Sequence, residues 1–258
     1  MIDTHCHLTY PGLIERFDDV MKNALAAGVD RVITVGTSPD DARAALALSR
    51  RHESVFVAAG LHPNHATADI ERDWLIDNLR AILSDDRVVA IGELGLDRYH
   101  TDPPIEVQIP VLRWQLELAQ TTDLPIIVHN RMATDDTLAV LRESGIAGER
   151  FVFHCFTGSD AELDAILSFG AMVSFTGVVT FKSATALLAS SVRVPVDRIM
   201  IETDAPYLTP EPHRKVKTNE PGYVPFVARA LAAKRGMDEG EFLRAIDANS
   251  RRFFARLR

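Results

Sequence analysis

The segment Met1-Ile2-Asp3-Thr4-His5-Cys6-His7 takes a short apolar start straight into two histidines one residue apart. On a strand, successive side chains point to opposite faces, so His5 and His7 share one face and Cys6 takes the other. Two imidazoles aimed at one point serve a metal ion, whereas a hydrophobic core has no use for them. His-x-His also arises by chance, so the segment gains its weight from what the rest of the chain does. Seven further short, β-branched runs follow, at residues 31–35, 55–59, 88–91, 125–128, 151–153, 171–175 and 198–201. With residues 1–4 they read as eight near-continuous apolar strands, the pattern of a parallel sheet covered on both faces.

Amphipathic stretches at residues 13–27, 40–51, 69–83, 106–121, 135–143, 161–169 and 183–191 separate the strands. From about Val224 a tail of two or three helices follows. Some boundaries carry local causes. Ser38-Pro39-Asp40-Asp41 offers an N-cap, a proline for the first helical position and acid in the first turn. Ser159-Asp160-Ala161-Glu162 matches the capping box. The alternation predicts a (β/α)8 TIM barrel with a helical C-terminal tail, in a single domain over residues 1–258. A doubly wound sheet is the alternative. No linker-like tract, repeat or low-complexity segment divides the chain.

Composition narrows the function classes. Apolar residues make up 47% and charged residues 25%, which is ordinary for a folded chain. A net charge of −8 disfavours a protein that coats nucleic acid through a broad basic surface. It leaves room for a nucleic-acid enzyme, because bound divalent cations neutralise phosphate locally. Two cysteines, Cys6 and Cys155, and no visible leader segment predict reduced thiols and a cytoplasmic location. By strand parity Cys6 is expected in the core, not in the face of His5 and His7. No run reaches the roughly 20 apolar residues of a membrane span. A monomer is the default expectation.

The metal-capable residues fall on strand ends. His5 and His7 end the first strand, Glu93 follows the fourth, His129 the fifth, His154 the sixth and Asp204 the eighth. In a parallel barrel those ends converge on one mouth. A polar residue where one strand exits to solvent is unremarkable, but five strands finishing in His, Glu or Asp is the donor set of a divalent metal site. Six donors exceed the three protein ligands of a mononuclear catalytic zinc site, so two cations sharing a carboxylate is the economical reading. His5, His7 and Asp204 are assigned to one cation and His129 and His154 to the other, with Glu93 bridging. Asp204 and Glu93 are the catalytic candidates, Asp204 also as acceptor of a proton from water. Donors of nitrogen and oxygen suit Mg2+, Mn2+ or Zn2+.

Six ordered motifs then bear on family. They are His5-Cys6-His7, Gly60-Leu61-His62-Pro63, Ile91-Gly92-Glu93-Leu94-Gly95-Leu96-Asp97, His154-Cys155-Phe156-Thr157-Gly158-Ser159, Glu202-Thr203-Asp204-Ala205-Pro206-Tyr207-Leu208 and Asn219-Glu220-Pro221. Over essentially the whole chain the sequence resembles the TatD-type metal-dependent deoxyribonucleases of the amidohydrolase-like superfamily. The resemblance implies a (β/α)8 barrel, a divalent metal pair and phosphodiester hydrolysis on DNA, commonly as a 3′-to-5′ exonuclease. The family's ligands fall on His5, His7, Glu93, His129, His154 and Asp204. Some relatives lack the first His-x-His, which this chain keeps. Many carry a shorter Pro-(Tyr/His)-Arg-Gly-Lys segment where this chain has Pro212-His213-Arg214-Lys215-Val216-Lys217-Thr218, without the glycine.

Substrate candidates follow with weaker signals. His62 is a candidate donor to phosphate or to a ligand carboxylate, against a plain turn histidine before Pro63. Arg131 suits bidentate phosphate binding, against a solvated helix-start residue. Arg214, Lys215 and Lys217 are a local basic cluster expected at the mouth, against a simple solvated face. Tyr207 and Phe156 are candidates to stack a base, against rim or core packing. Asp97 is read either as orienting a ligand histidine or as satisfying loop amides. His52, His65 and His100 read as surface residues. Hydrolysis of a small ester or amide, as in amidohydrolase or phosphotriesterase-like enzymes, or of an aminoacyl-tRNA ester, is the enzymatic alternative. Many of those enzymes bridge two metals with a modified lysine on the fourth strand, where this chain places Glu93. A closed structural zinc site is the non-enzymatic alternative, and its thiolate-rich, four-coordinate pattern fits six nitrogen and oxygen donors poorly.

Overall fold

The computed structural model describes residues 1–257. Eight parallel strands pair in chain order: β1 (Ile2–Cys6), β2 (Arg31–Gly36), β3 (Val55–Ala59), β4 (Val88–Asp97), β5 (Ile126–Arg131), β6 (Phe151–Phe153), β7 (Met172–Phe175) and β8 (Ile199–Ile201). Between them run α1 (Phe17–Ala26), α2 (Pro39–Ser49), α3 (Arg72–Leu83), α4 (Ile105–Ala119), α5 (Thr134–Glu143), α6 (Asp160–Phe169) and α7 (Thr185–Ser190). Two helices, α8 (Val224–Arg235) and α9 (Glu239–Phe253), make the tail. This is a (β/α)8 TIM barrel. Among the described residues no helix is long and apolar enough to cross a membrane.

The sheet closes on itself where β8 meets β1. The Asp204 amide donates to the His5 carbonyl at 2.9 Å, and the His7 amide donates to the Ala205 carbonyl at 2.7 Å. Deeper in the seam the fully buried Asp3 carboxylate accepts from the Thr203 amide at 2.9 Å and the Thr203 hydroxyl at 2.6 Å. Burial outweighs those bonds and lifts the Asp3 pKa to about 8. The seam that positions Asp204 is therefore also the one that positions His5 and His7.

Two apolar layers result. Ile2, Ile33, Val35, Phe56, Val89, Ile127, Val152, Met172 and Met200 fill the barrel interior, and Phe254 and Leu257 beyond α9 pack on that same cluster. The opposite strand faces meet the helices, and Cys6 belongs to that outer layer with its Sγ 3.5 Å from the Ile33 carbonyl. Local signals read in the sequence act as expected at two helix starts. The Ser38 side chain accepts from the Asp41 amide ahead of α2, and Ser159 and Glu162 complete a capping box on α6.

Several boundaries differ from the sequence reading, among them β5, which runs three residues further than read and takes in His129 and Arg131. A 3-10 turn (Ile14–Arg16) precedes α1, and α3 starts at Arg72, three residues later than expected. The larger difference is β4, which continues through Glu93 to Asp97. Its pairing with β5 slips between Ile91 and Leu94, and β1 slips against β2 between Asp3 and Cys6. Such irregularities re-aim side chains, and here they fall on the strands that deliver His5 and Glu93.

The opposite end of the barrel is stitched by arginines. Arg87, immediately before β4, donates to the Ser49 and His52 carbonyls at the end of α2. Arg150, before β6, donates to the Ala119, Thr122 and Leu124 carbonyls at and beyond the end of α4, at 2.7–3.1 Å. Arg198, before β8, donates to the Leu167 carbonyl in the last turn of α6. Helix C-termini leave carbonyls without intrahelical partners, and a guanidinium supplies several donors at once. Replacing Arg150 by Ala strands three acceptors, so urea unfolding of Arg150→Ala should show a loss of about 2–4 kcal/mol. An unchanged midpoint would show that the arginine is dispensable to the barrel.

Candidate metal centre

Glycines let β4 bring its carboxylate into the mouth. Gly92 has φ +129° and lies so near β5 that a Cβ would sit 2.5 Å from the Ile127 carbonyl oxygen. Gly95, at φ +153°, would place a Cβ 1.8 Å from the His129 carbonyl oxygen. Only glycine fits either position. Between them Glu93 points inward and is 3% exposed.

The two Glu93 oxygens face two separate nitrogen sets. Oε1 is 3.9 Å from His5 Nε2 and 3.7 Å from His7 Nε2, and those nitrogens lie 3.8 and 3.4 Å from Asp204 Oδ1. Oε2 is 2.8 Å from His154 Nε2 and 3.4 Å from His129 Nδ1. The latter two nitrogens are 3.2 Å apart. Donors about 2.0–2.2 Å from a tetrahedral ion stand roughly 3.3–3.6 Å from one another; the set on Oε1 is slightly wider than that and the set on Oε2 slightly tighter, so both scatter around the spacing of a cation's corners. The structure brings together all six residues that the strand-end pattern selected.

Unpartnered atoms test whether a cation suits this cluster. Both ring nitrogens of His5, Glu93 Oε2 and His154 Nδ1 are buried without a hydrogen-bond partner among the described residues. Buried polar atoms without partners are costly, and two of these four, His5 Nε2 and Glu93 Oε2, line the two gaps. The donor set fits divalent cations.

The electrostatics follow from crowding of imidazoles around one carboxylate. Burial works to raise the Glu93 pKa, but His154, His62 and a hydrogen bond from His129 hold it well below the carboxylate range. Burial and the neighbouring His154 depress His5. In His7 burial is outweighed by Asp204 and Glu93, in His129 by Asp97 and Glu93, and in His154 by Glu93 and Glu202, so all three are raised.

Two of the histidines are also held from behind. His7 Nδ1 lies 3.0 Å from the Val35 carbonyl, which fixes that nitrogen as the N–H and leaves Nε2 for the mouth. His129 turns Nε2 to Asp97 Oδ2 at 3.2 Å. Asp97 performs both roles weighed for it, since its Oδ1 accepts from the Tyr99 and His100 amides. His100, expected on the surface, puts Nδ1 2.9 Å from Asp97 Oδ2. The signal for Asp97 was its place on β4, four residues past Glu93.

The sequence reading missed Glu202. Its carboxylate is buried, accepts from the Cys155 amide at 2.6 Å and lies 3.6 Å from His154 Nδ1. Glu202 stands two residues before Asp204, the same spacing as His5 and His7, and that spacing was the available signal.

The remaining candidates line the rim to different degrees. His62 accepts from the Asn64 amide at Nδ1, so Nε2 carries its hydrogen, 3.2 Å from His129 Nδ1. Burial beside His129 and His154 lowers its pKa to about 3, leaving a neutral N–H donor at the mouth. Tyr207 is 53% exposed and meets Tyr10 edge-on, and Tyr10 stacks on His7 at 4.8 Å. Phe156, by contrast, is 5% exposed and packs against Phe175, so it belongs to the core and offers no face to a base. The Arg131 guanidinium lies 3.7 Å over Tyr99, and that of Arg214 lies 3.8 Å over Phe181. Arg214, Lys215 and Lys217 ride on an excursion between Leu208 and Thr218. Asn219 gathers its base, donating from the amide to the Pro206 carbonyl and from Nδ2 to the Thr203 and Tyr207 carbonyls.

Comparison with known proteins agrees with this geometry. Residues 2–255 match the family model described as TatD related DNase. YabD of Bacillus subtilis (strain 168), described as an uncharacterized metal-dependent hydrolase, is 36% identical over 98% of both chains. The protein of Erwinia tasmaniensis named 3′-5′ ssDNA/RNA exonuclease TatD is 33% identical over 98% of this chain and 99% of its own. The crystal structure of the TatD homolog YJJV from Escherichia coli K12 superposes with a TM-score of 0.91 at 28% identity, covering 99% of this chain and 98% of that one. The chain belongs to the TatD-related family of metal-dependent hydrolases.

Proposed function

We propose that the protein hydrolyses phosphodiester bonds in DNA, attacking single strands or ends from the 3′ side, with two divalent cations held by one bridging carboxylate. The observation that carries the reading is the split of Glu93, with Oε1 toward His5, His7 and Asp204 and Oε2 toward His129 and His154. The relative named as a 3′-5′ ssDNA/RNA exonuclease supports the substrate class. Bound there, Mg2+, Mn2+ or Zn2+ supplies Lewis acidity to a phosphoryl oxygen and acidifies water.

The chain's own groups do the rest. His5, His7 and Asp204 would hold one cation and His129 and His154 the other, with Glu93 facing both sets. Asp204, more exposed than Glu93 or the His5 and His7 side chains, takes a proton from water at the mouth. The His62 N–H donates to a phosphate oxygen. Arg131, Arg214 and Lys215 draw the backbone to the rim against the net charge of −8. Tyr207 stacks a base.

Three outcomes test the reading. End-labelled single-stranded DNA, incubated with Mg2+, Mn2+ or Zn2+, should shorten stepwise, and a chelator should stop it. No product with any of the three ions, while a small ester is hydrolysed, would transfer the activity to the amidohydrolase class. Asp204→Asn should lower turnover by about 10²–10⁴-fold while the melting temperature stays put; retention of the wild-type rate would remove Asp204 from the chemistry. The double variant Arg214→Ala/Lys215→Ala should raise KM with kcat preserved and reduce the salt slope of binding by about 1–2. An unaltered slope would take the loop off the DNA.

A further inference from the structure

Glu202 has the burial of a core residue and the chemistry of a site residue, yet it reaches neither substrate nor the gap between Asp204 and Glu93. Its carboxylate accepts from the Cys155 amide at 2.6 Å and lies 3.5 Å from the Thr4 hydroxyl. No arginine or lysine pairs with it among the described residues. The groups that do face it are imidazoles. His154 Nδ1 is 3.6 Å away, on the side of the ring opposite the nitrogen that meets Glu93. One ring nitrogen each of His5 and His154 lies with a Glu202 oxygen in a cluster no wider than 4.8 Å. The two rings are stacked, with centroids 4.1 Å apart and planes 9° from parallel.

The partnership crosses between the two sets. His5 faces Glu93 Oε1 and Asp204, whereas His154 faces Glu93 Oε2. The other backing contacts each serve one histidine: Val35 carbonyl for His7 and Asp97 for His129. His5 has no backing hydrogen bond of its own, and both of its ring nitrogens are unpartnered. A ligand imidazole keeps its orientation and tautomer through the partner of its second nitrogen. For the stacked pair, Glu202 is the group within reach.

We infer that Glu202 is a positioning residue which braces His5 and His154 as one stacked unit, so that a single carboxylate sets the donor geometry of both cation sites. The inference rests on the two-cation reading above. Glu93 then joins the sites at their front and Glu202 joins them from behind. Because the brace is shared, its loss disturbs both cations together, whereas loss of Asp97 disturbs the set of His129 and His154.

Calorimetric titration of chelator-stripped protein with Zn2+ separates the cases, with the melting temperature of the stripped protein read in parallel. Wild type should bind two ions. Glu202→Gln should weaken both by about 10–100-fold and Asp97→Asn only one, each with the melting temperature of the stripped protein preserved. At saturation with Co2+ the visible spectrum of Glu202→Gln should differ from wild type, as reoriented imidazoles require. If Glu202→Gln folds poorly, Glu202→Asp, which keeps the charge and shortens the reach, should weaken both ions to a smaller extent. Unchanged affinities, weakening of one ion alone, or a third wild-type ion lost in Glu202→Gln would each overturn the inference, the last by making Glu202 a ligand. Fewer than two ions in wild type would instead bring down the two-cation reading itself.

Discussion

A carboxylate sealed inside a barrel must find opposing charge within a few ångströms, because water no longer screens it. Glu93 meets that requirement with His7, His129 and His154, whose pKa values are raised, while His5 and His62, lowered by burial, also stand within 4.0 Å of it. Cations would satisfy the group further, since they would also meet the unpartnered His5 Nε2 and Glu93 Oε2. Much local geometry answers to this one placement. The slipped register of β4, the close approach of Gly92 and Gly95 to β5, and the Asp97 contact behind His129 all follow from bringing Glu93 inward while the strand continues. The β1–β8 seam does the same for the other wall, carrying His5, His7 and Asp204 on two backbone hydrogen bonds.

The strand ends were legible because a buried parallel strand is a continuous apolar run, and the first His, Glu or Asp after it stands out. His129 and His154 were readable for that reason, and the parity of β1 put Cys6 opposite His5 and His7 correctly. The same logic misplaced the ends of β4 and β5, which run on paired to Asp97 and Arg131. Glu93 and Gly95 look like an exit from the sheet, whereas the strand persists to Asp97 behind a local slip that no periodicity reveals. Glu202 escaped because a charged residue at a strand terminus reads as solvated, and only the fold shows that Thr4 and Cys155 close over it. Phe156 illustrates the converse, an aromatic beside a ligand whose neighbour Phe175 claims it for the core.

The two ends of the barrel divide the labour. At one, buried imidazoles and acids are crowded at distances that cost stability unless cations intervene. At the other, Arg87, Arg150 and Arg198 fasten helix ends ahead of alternate strands, β4, β6 and β8. Arg235, Arg252 and Arg256 from the tail add bonds to the Ser191, Val194, Asp197 and Val88 carbonyls. The mouth draws its donors from β1, β4, β5, β6 and β8.

Asn219 ties the two arms of the basic excursion together, with three hydrogen bonds to the Thr203, Pro206 and Tyr207 carbonyls. Its body is pinned as well: the Glu211 amide donates to the Thr180 hydroxyl, His213 stacks on Tyr223, and Arg214 lies over Phe181. Lys215, Val216 and Lys217 are the exposed stretch beyond these anchors, where a side chain can change without touching Asp204. Charge at the rim and the inward donor set are thus carried on separable positions, one open to solvent and the other locked by the β1–β8 seam.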